Sequence, residues 1–339
     1  MELPKISIVI PSYNQGDYLE ETILSVLNQQ YPNLEILIID GGSKDNSVDI
    51  IKKYEQQLAF WVSEKDKGQS DAINKGFRLA TGDIISWLCS DDLYTPGTFN
   101  KIVEQFSKAP SRVGLIHGGV ILFDEKKELE KRFNYLEPSA ESYLSGIVFS
   151  QPAAFYKKKY LDKVGNLYED LHYGMDFDLF MRLALVCEFD QSKEIFARYR
   201  MHSQSKSVSA SSKFIGDWKR SFVNLCKNLS WNKEIEFLKS TGLYETEIEY
   251  YHPFSFQADN AILSRVDKNK TLYLHLGHVL KDLYWTGQLD KAGDLKSIMK
   301  RNFPGEWKSE DTRLSDVMTK LSLPRFVLNA LKRIKRMGS

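Results

Sequence analysis

Cysteine is scarce in this chain. Cys89, Cys187 and Cys226 stand alone among 339 residues and show no paired or metal-type spacing. A disulfide framework or a structural zinc site needs more thiols, closely spaced. With no secretory leader pattern over Met1–Lys5, the set points to reduced thiols and a cytoplasmic protein. Long apolar runs are missing too, and nothing approaches the ~20 residues that cross a bilayer. Charge of one sign is not in excess. A formal net charge of +1 gives no global field to draw nucleic acid. The G-x-G-x-x-G of a dinucleotide fold is absent after the first apolar run, where Pro11-Ser12-Tyr13-Asn14-Gln15-Gly16 stands instead. A Rossmann dehydrogenase is therefore disfavoured. Repeats and low-complexity segments are also lacking. The hydrophobic share of 42% is that of a globular protein that can bury a core without covalent staples.

What is present is a regular alternation. Ile6–Ile10, Leu34–Ile39, Ala59–Val62 and Ile84–Leu88 are short apolar runs suited to buried strands. Helical stripes separate them: Leu19, Ile23, Val26 and Leu27; then Val48, Ile51 and Tyr54; then Ala72, Ile73, Gly76, Phe77 and Ala80. Asp17 with Glu20 forms a capping pair for the first helix. Thr95 caps, and Pro96 opens, the helix after the fourth strand. Such alternation predicts an α/β fold with a mostly parallel sheet. Further on, Val113–Ile116, Val120–Phe123 and Ile195–Tyr199 read as strands, and Asp176–Cys187 as an amphipathic helix. Strand signals stop after the polar stretch 203–212. The boundary is placed to give a domain over 1–206 and a helical region over 207–339.

Each of the first four strands ends in a polar cluster: Pro11-Ser12-Tyr13-Asn14, Asp40-Gly41-Gly42-Ser43, Ser63-Glu64-Lys65-Asp66 and Ser90-Asp91-Asp92. Ligands of open α/β sheets bind outside the carboxyl ends of the strands, so the four clusters describe one site. It is rich in carboxylate and poor in base. Asp91 and Asp92 can hold a hard divalent ion or cap the next turn. Asp40 can accept from a base or ribose, or close an Asx-turn with Gly41-Gly42. Asp176 and Asp178, two apart on one helix, point to different sides, so one faces the site while the other caps or faces water. His202, beside Arg200 and several hydroxyls, suits a diphosphate or metal environment as well as a structural role. Cys89 is a small buried residue rather than a nucleophile.

As an ordered set these pieces resemble the family 2 glycosyltransferases, inverting enzymes with the GT-A fold. The resemblance runs from Ile6–Asn14 through Ile38–Asp45, Ser63-Glu64, Asp66-Lys67-Gly68, Asp71–Gly76, Ala80–Asp83 and Ser90-Asp91-Asp92. It continues over Gln151-Pro152-Ala153 and Met175–Asp178 to Tyr199–Ser205. It implies a nucleotide-sugar site lined by Pro11, Ser12, Tyr13, Asn14, Ser90, Asp91 and Asp92. Asp40 would bind the base, and Lys67 and Asp71 would lie near the base or ribose. Asp91 would bind Mn2+ or Mg2+ with His202 nearby, and Asp176 would be the general base. The implied donor is a UDP-sugar, and the implied acceptor a glycan or lipid-linked saccharide of the cell envelope. Two departures stand out: Cys89 replaces the first acid of the D-x-D motif, and Met175 replaces the acid before the base. The R-W signature of processive membrane synthases is absent. A sugar-1-phosphate nucleotidyltransferase is the rival enzyme, but Pro11–Gly16 carries no Lys or Arg for a triphosphate. A non-catalytic nucleotide-sugar-binding protein is the other alternative.

The tail from Leu323 to Arg336 is basic, contains no acid, and repeats Val327, Leu331 and Ile334 at helical spacing. It reads either as a docking helix or as a membrane-surface helix over 323–337 that would make the protein peripheral at the inner face of a membrane.

Overall fold

The computed structural model describes residues 3–133, 136–305 and 312–324. In chain order the strands are β1 (Ile6–Ser12), β2 (Leu34–Asp40), β3 (Phe60–Ser63), β4 (Ile84–Trp87), β5 (Leu93–Tyr94), β6 (Val113–Phe123), β7 (Glu128–Arg132), β8 (Ala154–Lys157) and β9 (Glu188–Arg200). The helices are α1 (Gly16–Leu27), α2 (Ser47–Lys53), α3 (Gln69–Leu79), α4 (Thr98–Lys108), α5 (Ala140–Ser145), α6 (Lys158–Val164), α7 (Met175–Ala184), α8 (Lys206–Ser209), α9 (Phe214–Asn228), α10 (Asn232–Ser240), α11 (Asn260–Leu263), α12 (Lys268–Trp285), α13 (Leu289–Asn302) and α14 (Thr312–Lys320).

The chain divides into two compact units. The first comprises Met1–Asn134, Ile147–Ser211 and Phe254–Arg265, and the second comprises Tyr135–Gly146, Ser212–Pro253 and Val266–Ser339. In the first, one sheet runs in the order β3-β2-β1-β4-β8-β6-β9-β5, with β7 paired to β6. β3, β2, β1 and β4 are parallel, and β8 enters antiparallel to both β4 and β6. β6 and β9 make a further parallel ladder, so most paired residues lie in parallel register. β1 is buried along its whole length because neighbours flank both edges and helices cover both faces. Ile6, Ile8 and Ile10 share a core with Leu19, Ile23 and Val26 of α1. Val9 meets α3 so closely that a Cβ on Gly76 would fall 2.3 Å from its Cγ1.

Three local readings change in the folded chain. α1 has no side-chain cap, and Glu20 instead accepts from Lys53 at 2.5 Å and Tyr54 at 2.7 Å. α4 starts after Gly97, whose φ of 76° only glycine adopts readily. Thr95 joins the sheet, its hydroxyl donating to the Ile195 carbonyl at 2.6 Å. The two runs at 113–116 and 120–123 are one strand. Gly118 and Gly119 join them because the rings of Phe196 and Phe133 press onto their backbone, where a Cβ would come within 2.5 Å.

Asp178 neither caps nor faces water. It forms an ion pair with Arg182 at 2.7 Å in which both side chains are fully buried. The guanidinium also donates to the carbonyls of Val164 and Asn166, at 2.7 and 2.9 Å, and lies 4.6 Å from the Tyr168 ring centroid. Asn74 exchanges two hydrogen bonds with the Leu167 backbone. Together these contacts fix α7 against α3 through the 164–168 loop.

The second unit is built on α12, which is buried nearly all round through Leu272, Tyr273, Leu276, Val279, Leu280 and Leu283. His275 stacks on Phe222 at 3.8 Å, and its Nδ1 meets the Ser145 carbonyl at 2.8 Å. Burial holds this imidazole down to about 3, so it is neutral. No described helix is long and apolar enough to cross a membrane. Of the basic tail, residues 325–337 lie outside the described residues.

Asp178→Asn leaves the buried Arg182 charge uncompensated and should cost about 3–5 kcal/mol in urea unfolding. Wild-type stability in that variant would mean that the pair does not anchor α7.

Candidate active site

The site grows from the carboxyl ends of the parallel strands. In the ladder Ser12 lies opposite Asp40, and Asp40 opposite Ser63. Pro11 precedes Ser12 on the same edge, and the Ser90-Asp91-Asp92 turn follows β4, which pairs with β1. The strand-end clusters are thus brought together.

Asp40 is fully buried, and its carboxylate takes four donors. They are the amides of Gly42 and Ser43 at 3.0 and 2.9 Å and the hydroxyls of Ser43 and Ser63 at 2.5 and 2.6 Å. In this structure the side chain closes the turn after β2. Asn14, at φ 51°, laces that turn to the one after β1. Its amide donates to Ser43 Oγ at 2.7 Å, and its Oδ1 accepts from Lys44 at 2.8 Å. Ser12 Oγ is buried with no partner, whereas the Tyr13 ring is exposed.

Asp66, which no expected role singled out, comes to lie over this floor. A Cβ on Gly41 would fall 2.6 Å from Asp66 Oδ2, so only glycine there admits the carboxylate. Its Oδ1 accepts from the Gly68 amide at 2.9 Å. Burial pushes the Asp66 carboxyl up, and the charges of Asp71 and Asp40 add to it. Asp71 accepts from the Lys67 amide at 3.1 Å, while the Lys67 ammonium stands out in solvent, 3.9 Å from Glu169. The only signal for Asp66 in the sequence is its place at a strand end. Its approach to Gly41 is a tertiary contact between loops.

At the other end, the Asp91-Asp92 turn is gripped by β9. The Arg200 amide donates to Asp92 Oδ1 and its Nε to the Asp91 carbonyl, each at 2.9 Å. The Arg200 guanidinium lies between the rings of Tyr18 and Phe123, at 4.9 and 4.5 Å, and pairs with Glu21. This arginine shapes the turn. Two residues later, His202 Nε2 meets Asp91 Oδ2 at 2.8 Å, with the Tyr18 ring packed beside the imidazole. Asp92 is buried, and burial, then the Asp91 charge, raise its pKa well above the carboxylate range.

Cys89, Asp91 and Asp92 have donor atoms within 4.8 Å of one another. They are not equivalent as ligands. Asp92 commits an oxygen to Arg200, and burial followed by the neighbouring acids drives the Cys89 thiol well up, so it stays protonated. Asp91 and His202 remain, an oxygen and an imidazole donor side by side, a set that fits Mn2+ or Mg2+ completed by other oxygens.

Asp176 opens α7, where its Oδ1 accepts from the Phe177 amide at 2.8 Å. Its charge acts on the Cys89 thiol together with those of Asp91 and Asp92. Beside it, Met175 Sδ accepts from Ser70 Oγ at 2.8 Å, and the preceding Gln69 donates to Cys89 Sγ at 3.2 Å, so the start of α7 and the turn after β4 both meet the start of α3.

The sheet and its following helices form a GT-A fold. The glycosyl transferase family 2 model matches residues 7–165. An uncharacterized glycosyltransferase of Mycobacterium tuberculosis is 33% identical over 189 residues, covering 55% of this chain and 71% of that protein. Another, from Rickettsia typhi, is 26% identical over 260 residues, 73% of this chain and 80% of that protein. The chain spans only 36% of a longer Rickettsia felis relative that it matches at 31% identity. The chain belongs to glycosyl transferase family 2 and is a glycosyltransferase. Among solved structures, Staphylococcus aureus TarS 1-349 in complex with UDP-GlcNAc aligns with a TM-score of 0.54 at 14% identity, covering 94% of this chain and 90% of that one. A Pyrobaculum calidifontis mannosyltransferase in complex with GDP-Man and Mn2+ aligns with a TM-score of 0.51 at 17% identity, covering 96% and 88%.

Arg200→Lys keeps the charge but cannot bridge two rings and a carbonyl at once. Losing a hydrogen bond worth ~1 kcal/mol should speed amide exchange across residues 89–92 by roughly fivefold. Unchanged protection there would show that the turn holds itself.

Proposed function

We propose that this chain is an inverting glycosyltransferase that moves a sugar from a UDP-sugar to a hydroxyl of a glycan or lipid-linked saccharide in cell-envelope polysaccharide synthesis. The observation that carries the reading is the pairing of Asp91 with His202 on the turn after β4, with Gln69 and Ser70 at the start of α3 reaching that turn at Cys89 and the start of α7 at Met175, next to Asp176. Transfer is assigned to residues 1–206, with 207–339 as the region that follows it. In this reading Pro11, Ser12, Tyr13 and Asn14 line the nucleotide pocket. Asp40 serves the base through the turn it closes, with Asp66 beside it. Lys67 and Asp71 stand by the base or ribose, and Ser90 and Asp92 back the diphosphate end. Asp91 and His202 hold a divalent ion, Mn2+ or Mg2+, which when bound supplies positive charge to the departing diphosphate. The relatives' names support glycosyl transfer, and UDP-GlcNAc and GDP-Man in the two solved structures support a nucleotide-sugar donor.

The chemistry assigned to the protein is one displacement. Asp176 takes the proton of the acceptor hydroxyl as that oxygen forms its bond to the anomeric carbon. The bond from that carbon to the diphosphate oxygen breaks, its electron pair leaves with the diphosphate, and the configuration inverts. A carboxylate so placed contributes roughly 10²–10⁴-fold. The place of action that fits is cytoplasmic, with attachment at the membrane face through 323–337.

Asp176→Asn should keep UDP affinity and lose transfer by about 10²-fold or more. Normal turnover would remove Asp176 from the base role. Asp91→Ala should abolish the Mn2+-dependent part of UDP binding in calorimetry, with an unchanged far-UV spectrum, because Asp91 is not in the core. Retained metal dependence would put the ion elsewhere.

A further inference from the structure

Gln69, the first residue of α3, uses both ends of its amide. Its Nε2 donates to Cys89 Sγ at 3.2 Å, and its Oε1 accepts from Lys206 Nζ at 2.9 Å. Lys206 also donates to the His172 carbonyl at 3.1 Å, and its ammonium stands 5.9 Å from the Tyr173 ring centroid. Through Gln69, one lysine thus links the turn that carries Asp91 to the loop that leads into Asp176. Both acceptors are neutral oxygens. Among the described residues no carboxylate is paired with this ammonium, although Asp91, Asp92 and Asp176 stand near enough to act on the same thiol as Lys206.

We propose that Lys206 is the protein's own cation for the donor diphosphate, exchanging the oxygens of Gln69 and His172 for phosphate oxygens. This rests on the nucleotide-sugar reading of the site. Charge counting motivates it. A sugar nucleotide brings two negative charges on its diphosphate. A divalent ion held by the Asp91 carboxylate leaves one positive charge, so one negative charge remains to be met. Arg200 cannot meet it, because its guanidinium is held between Tyr18 and Phe123. Lysine suits this role because it is a point charge on a flexible stem, able to leave two neutral acceptors for a charged one. The ammonium and a diphosphate carry opposite charges, an attraction that the two neutral oxygens do not supply, so the exchange is favourable once a diphosphate is present. Gln69 then has a definite part. By holding the ammonium next to Cys89, it keeps the cation beside Asp91 before the donor arrives. Cys89, where a D-x-D motif would carry an acid, offers a neutral acceptor to Gln69, and no anion at that position competes for the lysine.

The test compares UDP and uridine on the full chain with Mn2+, using calorimetry for UDP and ligand-observed NMR for uridine. Lys206→Met should weaken UDP by about tenfold or more and leave uridine unchanged, with the UDP loss shrinking as salt rises. Lys206→Arg should restore part of the UDP affinity. Because Lys206 is exposed, both variants should melt with wild type. Equal losses for UDP and uridine would make Lys206 a brace between the two loops and overturn the assignment, as would unchanged UDP binding in Lys206→Met. Failure of the wild type to bind UDP at all would instead sink the nucleotide-sugar reading, and this assignment with it.

Discussion

The grip of Arg200 on the Asp91-Asp92 turn is the contact on which the site depends. One residue at the end of β9 uses its amide on Asp92, its Nε on the Asp91 carbonyl and its guanidinium face on two rings. β9 is laid beside β6 by a long parallel ladder, and β5, leaving the same turn, pairs back onto β9. The turn is therefore tied to the sheet from both sides, and His202 is delivered two residues beyond the clamp. Without that clamp, a polar turn with an acid pair would have little to hold Asp91 against the imidazole.

Electrostatics explain why the acids near β4 differ in what they can do. Asp92 is buried, and burial followed by the Asp91 charge pushes its carboxyl up; Asp91 is partly open and meets His202, and Asp178 is buried but matched by Arg182. Three aspartates thus become a packing group, a half-open partner of an imidazole and a structural anchor. Desolvation sets the difference, because an unpaired charge cannot be kept in a low-dielectric interior. The buried pair also has a positional effect. It fixes α7 by its middle turn, so the half-buried Asp176 near the start of the helix inherits a defined place. On the nucleotide side, Asp40 and Asn14 tie two strand-end turns into one floor, and Asp66 rests on it through the gap that Gly41 leaves.

Much of the fold was legible because burial writes itself into pattern. The runs at 6–10, 34–39 and 84–88 are continuous and apolar because their strands are covered on both faces, and each ends within two residues of its expected end. β5, β7 and β8 left no such mark. β5 has two residues, β7 is almost wholly exposed, and β8 is a four-residue run inside a mixed stretch. Gly118-Gly119 looked like a break and is a continuous strand, since the reason for those glycines lies in Phe196 and Phe133, remote in the chain. Asp17 and Thr95 carried the residue types of caps, but Glu20 had a stronger partner in Lys53 and Thr95 a ladder to join.

The sequence by itself determined the class of fold, the parallel half of the sheet and the edge where its polar clusters meet. Those follow from local burial and from the rule that parallel strands share a carboxyl end. Which acid packs, which anchors and which stays half-open beside an imidazole was decided only in the folded chain. Arg200 lies more than a hundred residues from Asp91 and Lys206 well over a hundred from Gln69, and no local pattern encodes such pairs. Side chains of the same type acquire different chemistry when distant segments remove water from one and leave another exposed.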